Sequence, residues 1–329
     1  MKVKAIIIAM GLATLASTSA FAVDGSTGEK AFVSQVGVSN TANVDQQKSS
    51  YDNVTVLQSA NGANADVESK NGGYNTTTIQ QSSSKAASYE TATVKQDTTV
   101  GNNTSITQTV GADKALVETT GGGYNTIAIN QAGTGSGTDA HVKQTNEVHD
   151  NVSIKQTGAA IANTDSSNGG YNTTTISQNA SASVNLATVL QIGASGETTY
   201  ISQSGDGYGH ATVNQHFSSN DQAGIVQNGY DQTASIDQNS GSGNKAGVLQ
   251  VGKTNQAHLD QEASFESTLL AAQFGDANII SASQSGYDNY GLIGQAGVGN
   301  SATVTQAGTG NVAIVSQFGS GNKTTIAQH

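Results

Sequence analysis

The sequence has no cysteine, no proline and no tryptophan in 329 residues. Without cysteine there is neither a disulfide framework nor a thiolate metal site. Proline cannot donate to a strand ladder and is kept out of central strands. A chain free of it suits strand structure nearly throughout. The chain also has only 10 tyrosines and 6 phenylalanines. A globular domain of this length would bury more large aromatics, so the expected core is thin and built of Ala, Val, Ile and Thr. Every basic residue is lysine, and the formal net charge is −11. No basic patch suits nucleic acid; the acidity favours solubility before assembly.

What is present is a repeat. From Asn289 the chain reads in frames of eleven that open on Asn289, Asn300, Asn311 and Asn322. Each frame carries a glutamine six residues on: Gln295, Gln306, Gln317 and Gln328. Two positions before each glutamine stand Ile293, Val304, Val315 and Ile326. Side chains alternate along a strand, so Asn, a small residue, Val or Ile, and Gln share one face. The Gly-rich segment after each glutamine supports a reversal.

The glutamine mark recurs upstream to Gln35 in steps of mostly 11 or 12 residues, with Ser69, Thr119 and Ser167 standing in for it. Of 26 marks, 23 have Val, Ile or Leu two positions earlier; the exceptions are Asp165, Ala271 and Ala282. This frame expects Asp165 to face inward. A longer superrepeat shows in Asn71-Gly72-Gly73-Tyr74, Gly121-Gly122-Gly123-Tyr124 and Asn168-Gly169-Gly170-Tyr171. These tyrosines are expected to pack on the outer face of their turns.

The expected fold is all-β: a β-solenoid of about 13 rungs, each strand-turn-strand, stacked about 4.8 Å apart in cross-β, amyloid-like fashion. Stacked amides bond one another, so a buried polar row satisfies itself. The chain divides into a signal peptide at 1–22, a short polar lead at 23–30, divergent repeats at 31–185 and regular repeats at 186–329. Lys2 and Lys4 precede a short apolar run, and Ala20-Phe21-Ala22 forms a small-x-small cleavage site. No cofactor or metal is expected. The six histidines form no ligand pair, and no catalytic constellation stands out, so the expectation is a protein that is not an enzyme.

The run from Asn300 to Asn311, Asn-x-Ala-x-Val-x-Gln-x-Gly-x-Gly-Asn, resembles the curlin repeat, closely over Leu186–His329 and loosely over Ala31–Gln178. Curlins are subunits of curli, the amyloid fibres of Gram-negative bacteria. The resemblance implies a secreted, pilus-like cell-surface fibre, self-association as a homopolymer, and a major-type subunit with an expanded number of repeats. It also implies a nucleating minor curlin and a curli-type outer-membrane secretion pore as partners, with adhesion to host or abiotic surfaces and a biofilm matrix as the role. The competing reading is a monomeric β-solenoid adhesin or ligand-binding protein.

Overall fold

A computed structural model of the chain describes residues 6–11, 17–22, 26–83, 89–109, 111, 113–132, 137–205 and 207–329. Among these the structure is strand and turn with no helix, a β-solenoid of about 12 turns, close to the expected 13. Contacts divide it into two units. One comprises Met1–Ala159 and Thr164–Ser167, the other Ala160–Asn163 and Asn168–His329.

The first unit shows how the pattern becomes a rung. In Thr41–Gln47 the side chains of Ala42, Val44 and Gln46 are buried, while Asn43 and Asp45 turn outward. This strand lies parallel to Asn64–Lys70, with Ala42 beside Ala65, Val44 beside Val67 and Gln46 beside Ser69. Parallel neighbours need a crossover. Here the crossover is the intervening strand Asn53–Ser59, which pairs in turn with Lys30–Val36 and Thr76–Ser82. Strands such as these therefore hydrogen-bond to the second strand before and after them, and two parallel sheets face each other. The dry layer between them is one small residue and one Val or Ile per strand, which explains why aromatics are dispensable.

The leader expected at 1–22 lies partly outside the described residues. Its segments Ile6–Gly11 and Ser17–Ala22 are strands parallel to Lys30–Val36 and Thr41–Gln47.

The second unit repeats the scheme with longer strands. Thr268–Asp276 pairs with Lys245–Lys253 below and Tyr290–Val298 above, keeping Gln250, Gln273 and Gln295 in line. The corners stack so closely that some positions admit only glycine. At Gly286, with φ of +101°, a β-carbon would lie 2.0 Å from the Gly308 carbonyl oxygen.

The frame around Asp165 is one residue off from the expectation. In the strand Asn151–Ser167 the buried side chains beyond Ile161 are Ala162, Thr164 and Ser166, while Asp165 and Ser167 are not buried. A slip of one residue moves a whole side-chain set to the opposite face. Burying Thr164 with Ser166 costs far less than burying an unpaired carboxylate. Asp165 points outward instead and pairs with Lys143 at 3.5 Å.

Candidate functional site

The polar rows buried inside the solenoid are the candidate site. In the first unit one row runs Gln35, Gln58, Gln81, Gln108, Gln131 and Gln156. Each Nε2 donates to the next Oε1 over 2.6–3.0 Å. In the second unit one row runs from Gln178 through Gln203, Gln227, Gln250, Gln273 and Gln295 to Gln317. The opposite sheet carries Gln191, Gln215, Gln238, Gln261, Gln284, Gln306 and Gln328. Most of these Nε2 groups also donate to a backbone carbonyl; Gln250 reaches Thr233 O at 3.0 Å. A buried amide with both donors and its acceptor engaged is cheap to bury, whereas an orphaned one is costly.

Asparagines form a second row at the strand entries. Asn300 Nδ2 donates to Asn278 Oδ1 at 3.0 Å, and Asn322 Nδ2 donates to Asn300 Oδ1 at 2.9 Å. Asn289 Oδ1 accepts the Asn311 backbone N–H at 3.0 Å. These side chains do at the corner what the glutamines do within the sheet. Of the expected ladder residues, Asn289, Ile293, Gln295, Asn300, Val304, Gln306, Val315 and Gln317 are buried. Asn311, Ile326 and Gln328 are half-buried and Asn322 is exposed, because the strand Lys323–Gln328 is covered on one side only.

The other row of the first unit alternates: Gln46, Ser69, Gln96, Thr119 and Gln144 lie in one register. The short residues break the amide chain and turn to the entry row of the facing strands. Ser69 Oγ donates to Asp52 Oδ2, and Asn102 Nδ2 donates to Thr119 Oγ1 at 3.5 Å. The acids beside this row face out as a charged stripe, with Lys95–Glu118 at 3.0 Å and a Lys70–Glu68 pair.

Several entry positions hold buried acids that the periodicity did not single out. Burial raises Glu29 to about 7; it also raises Asp113 and Asp221. Glu197 is raised to about 8, first by burial and then by the Asp221 carboxylate. The signal was present in the sequence, since Asp or Glu stands at these positions where Asn is the commonest residue.

Outside the solenoid core, Tyr51, Tyr74, Tyr124 and Tyr171 hold exposed corner positions with left-handed backbone. Tyr51 and Tyr74 stack at 5.2 Å, and Tyr124 stacks on His149 at 5.3 Å. Among the described residues no group of three or more His, Cys, Asp or Glu could hold a metal ion, and no helix is long and apolar enough to cross a membrane.

No curated protein matches the sequence. The curlin associated repeat matches residues 275–308 and 299–329. These are the rungs whose amide rows and asparagine corners are the most regular. The repeat and the solenoid together point to a structural protein, and residues 275–329 carry the curlin associated repeat.

Proposed function

We propose that this chain is the structural subunit of an extracellular, curli-like amyloid fibre, exported with removal of residues 1–22 and assembled end to end at the cell surface. The observation that carries the reading is the pair of polar rows leading up to the strands Val312–Ser320 and Lys323–Gln328. In the second unit each interior strand satisfies its backbone and its glutamine from the neighbouring strands of its own sheet. Lys323–Gln328 offers the same row of groups on its open side. An edge of this kind is a template for another strand. A second copy whose first rung carries Ala31, Val33 and Gln35 presents the matching pattern. Fibres of this kind would serve adhesion and biofilm matrix, with a nucleating minor curlin and a curli-type secretion pore as partners.

The test is incubation of the chain lacking residues 1–22, followed by fibre diffraction. The expected result is thioflavin-positive fibres with reflections near about 4.8 and 10 Å. A chain that stays monomeric for weeks at high concentration, with no cross-β reflections, overturns the reading.

A further inference from the structure

The second unit presents one outward sheet face that is unlike the rest of the surface. It is formed by the strands Thr198–Ser204, Gln222–Tyr230, Lys245–Lys253, Thr268–Asp276, Tyr290–Val298 and Val312–Ser320. Each strand points two central side chains outward, on either side of its buried Val, Ile or Ala. In chain order these pairs are Tyr200 and Ser202, Gly224 and Val226, Gly247 and Leu249, Leu270 and Ala272, Leu292 and Gly294, and Ile314 and Ser316. None of the twelve is charged. Leu249, Leu270, Leu292 and Ile314 are exposed, Ile314 to 63 %. The sheet on the other side of the same unit shows Asp237, His258 and Asp260 at equivalent positions, with His258 3.6 Å from Asp237. The apolar character therefore belongs to one face.

The pairs share a rule: every rung has one bulky and one small residue. The bulky one follows the buried residue in the second and third rungs and precedes it in the other four. Between these ridges the surface sinks into a groove of about 400 Å³, lined by Gly224, Gly247, Leu249, Leu270, Ala272 and Leu292.

Gly224 and Gly294 are not required by the subunit itself. A β-carbon on Gly224 would meet nothing within 4 Å, and one on Gly294 would meet only the Val315 carbonyl at 3.9 Å; neither has positive φ. Glycine inside a strand weakens it, and it often marks the close approach of another backbone. A contiguous exposed apolar face of this size also marks an interaction site.

We infer that this face pairs with the same face of a second copy of the chain, the two solenoid axes parallel and like rungs opposed. The symmetry is a two-fold axis in the interface, running along the solenoid axis between the two outward columns. It sets each residue before the buried position against the residue after it in the partner. Val226 then meets Gly224, Leu249 meets Gly247, Leu270 meets Ala272, and Leu292 meets Gly294 of the opposing copy. The end rungs oppose Tyr200 to Ser202 and Ile314 to Ser316. A bulky residue faces a small one in all six rungs, the self-complementarity that an isologous interface demands. The flanking columns add no like-charge contact, since Lys245 would face Val251. Six rungs of about 4.8 Å by seven residues of about 3.3 Å give roughly 660 Å² per copy, or about 1,300 Å² in all, within the range of specific interfaces. This pairing is lateral and independent of end-to-end growth.

The test uses the full chain with residues 1–22 removed. Sedimentation velocity follows freshly desalted protein, and electron microscopy follows filament width where filaments form. The wild type is expected as a dimer, or as paired filaments. Gly294→Leu opposes two leucines and should weaken pairing at least about ten-fold while leaving the strand circular dichroism intact. The swap Leu292→Gly with Gly294→Leu restores bulky against small and should restore pairing. Gly224→Val, in open space and with a strand-favouring residue, should weaken pairing without harming the fold. A wild type that remains single at high concentration overturns the inference. So does a Gly294→Leu chain that pairs like wild type, or a folded swap variant that stays single. Loss of filament length with pairing retained would count against end-to-end assembly and not against this interface.

Discussion

The Glu197 carboxylate accepts the backbone N–H of Asp221 at 3.0 Å, one rung away, and both side chains are buried. Glu197 also accepts from Ser218 Oγ at 3.1 Å and Gln215 Nε2 at 3.0 Å. Burial, and then the neighbouring Asp221 charge, hold its proton up to about pH 8. A carboxyl raised on folding contributes stability that is whole below its ordinary value, near 4.5, and is lost as pH rises through about 8. Each pKa unit corresponds to about 1.4 kcal/mol. The thermal midpoint should therefore fall from pH 5 to pH 9. Glu197→Gln should flatten the fall above pH 7 and match or exceed wild type at pH 9. Glu29, raised to about 7, keeps part of the slope below that. Melts at pH 5, 7 and 9 check this; parallel curves for variant and wild type would refute it.

The amide rows predict a position effect. Gln250 is fully buried, accepts from Gln227 at 2.9 Å and donates to Gln273 at 2.9 Å. Gln250→Ala leaves a cavity and two amides short of a partner, a loss of about 3–5 kcal/mol. Gln328→Ala removes a half-exposed group from the last strand and should cost under about 1 kcal/mol. Urea unfolding of the two variants gives the comparison.

The outward Asp165 predicts two opposite results on adjacent residues. Its ion pair with Lys143 is solvated, so Asp165→Val should change stability by less than about 1 kcal/mol. Thr164 is buried, and Thr164→Asp should cost several times more or forces the acid to stay protonated. Equal effects at the two positions would restore the inward reading of Asp165.

The alternating row predicts that a glutamine is not always an improvement. Ser69 and Asp52 are both buried and bonded to each other. Ser69→Gln alone should overpack the site and lower stability by about 1–3 kcal/mol. Adding Asp52→Asn replaces the acid with the consensus entry residue and should recover part of the loss. Melting temperatures of the single and double variants decide the point.

The glutamine rows could be read directly in the sequence because their period survives every change of corner length. Gln295 and Gln317 are 22 residues apart and Gln81 and Gln108 are 27 apart, yet both pairs bond. The frame at Asp165 was lost because Ser166 and Ser167 are chemically the same, leaving only the cost of a buried acid to choose between them. The apolar face was hidden by reading rung after rung. Ser301, Thr303 and Thr305 lie on one sheet and Val312, Ile314 and Ser316 on the other, so consecutive strands look mixed. Reading every second strand separates them. The buried Glu197 escaped because a sequence shows a charge but not the groups that desolvate it.

Because each strand is tied to the copy of itself one circuit away, the length of this chain is quantised. A duplication or loss of two whole strands leaves every remaining neighbour in alignment, since Gln273 can be replaced as the partner of Gln250 by any other glutamine at that phase. The spacing between bonded glutamines can lengthen, as it does from Gln81 to Gln108, while the row stays in line. A single residue inserted between Leu269 and Ala271 and not taken up as a bulge would turn Ala271 and Gln273 out of the core. Genes for such chains can therefore drift in whole-circuit steps through recombination, while single-codon insertions within strands are purged.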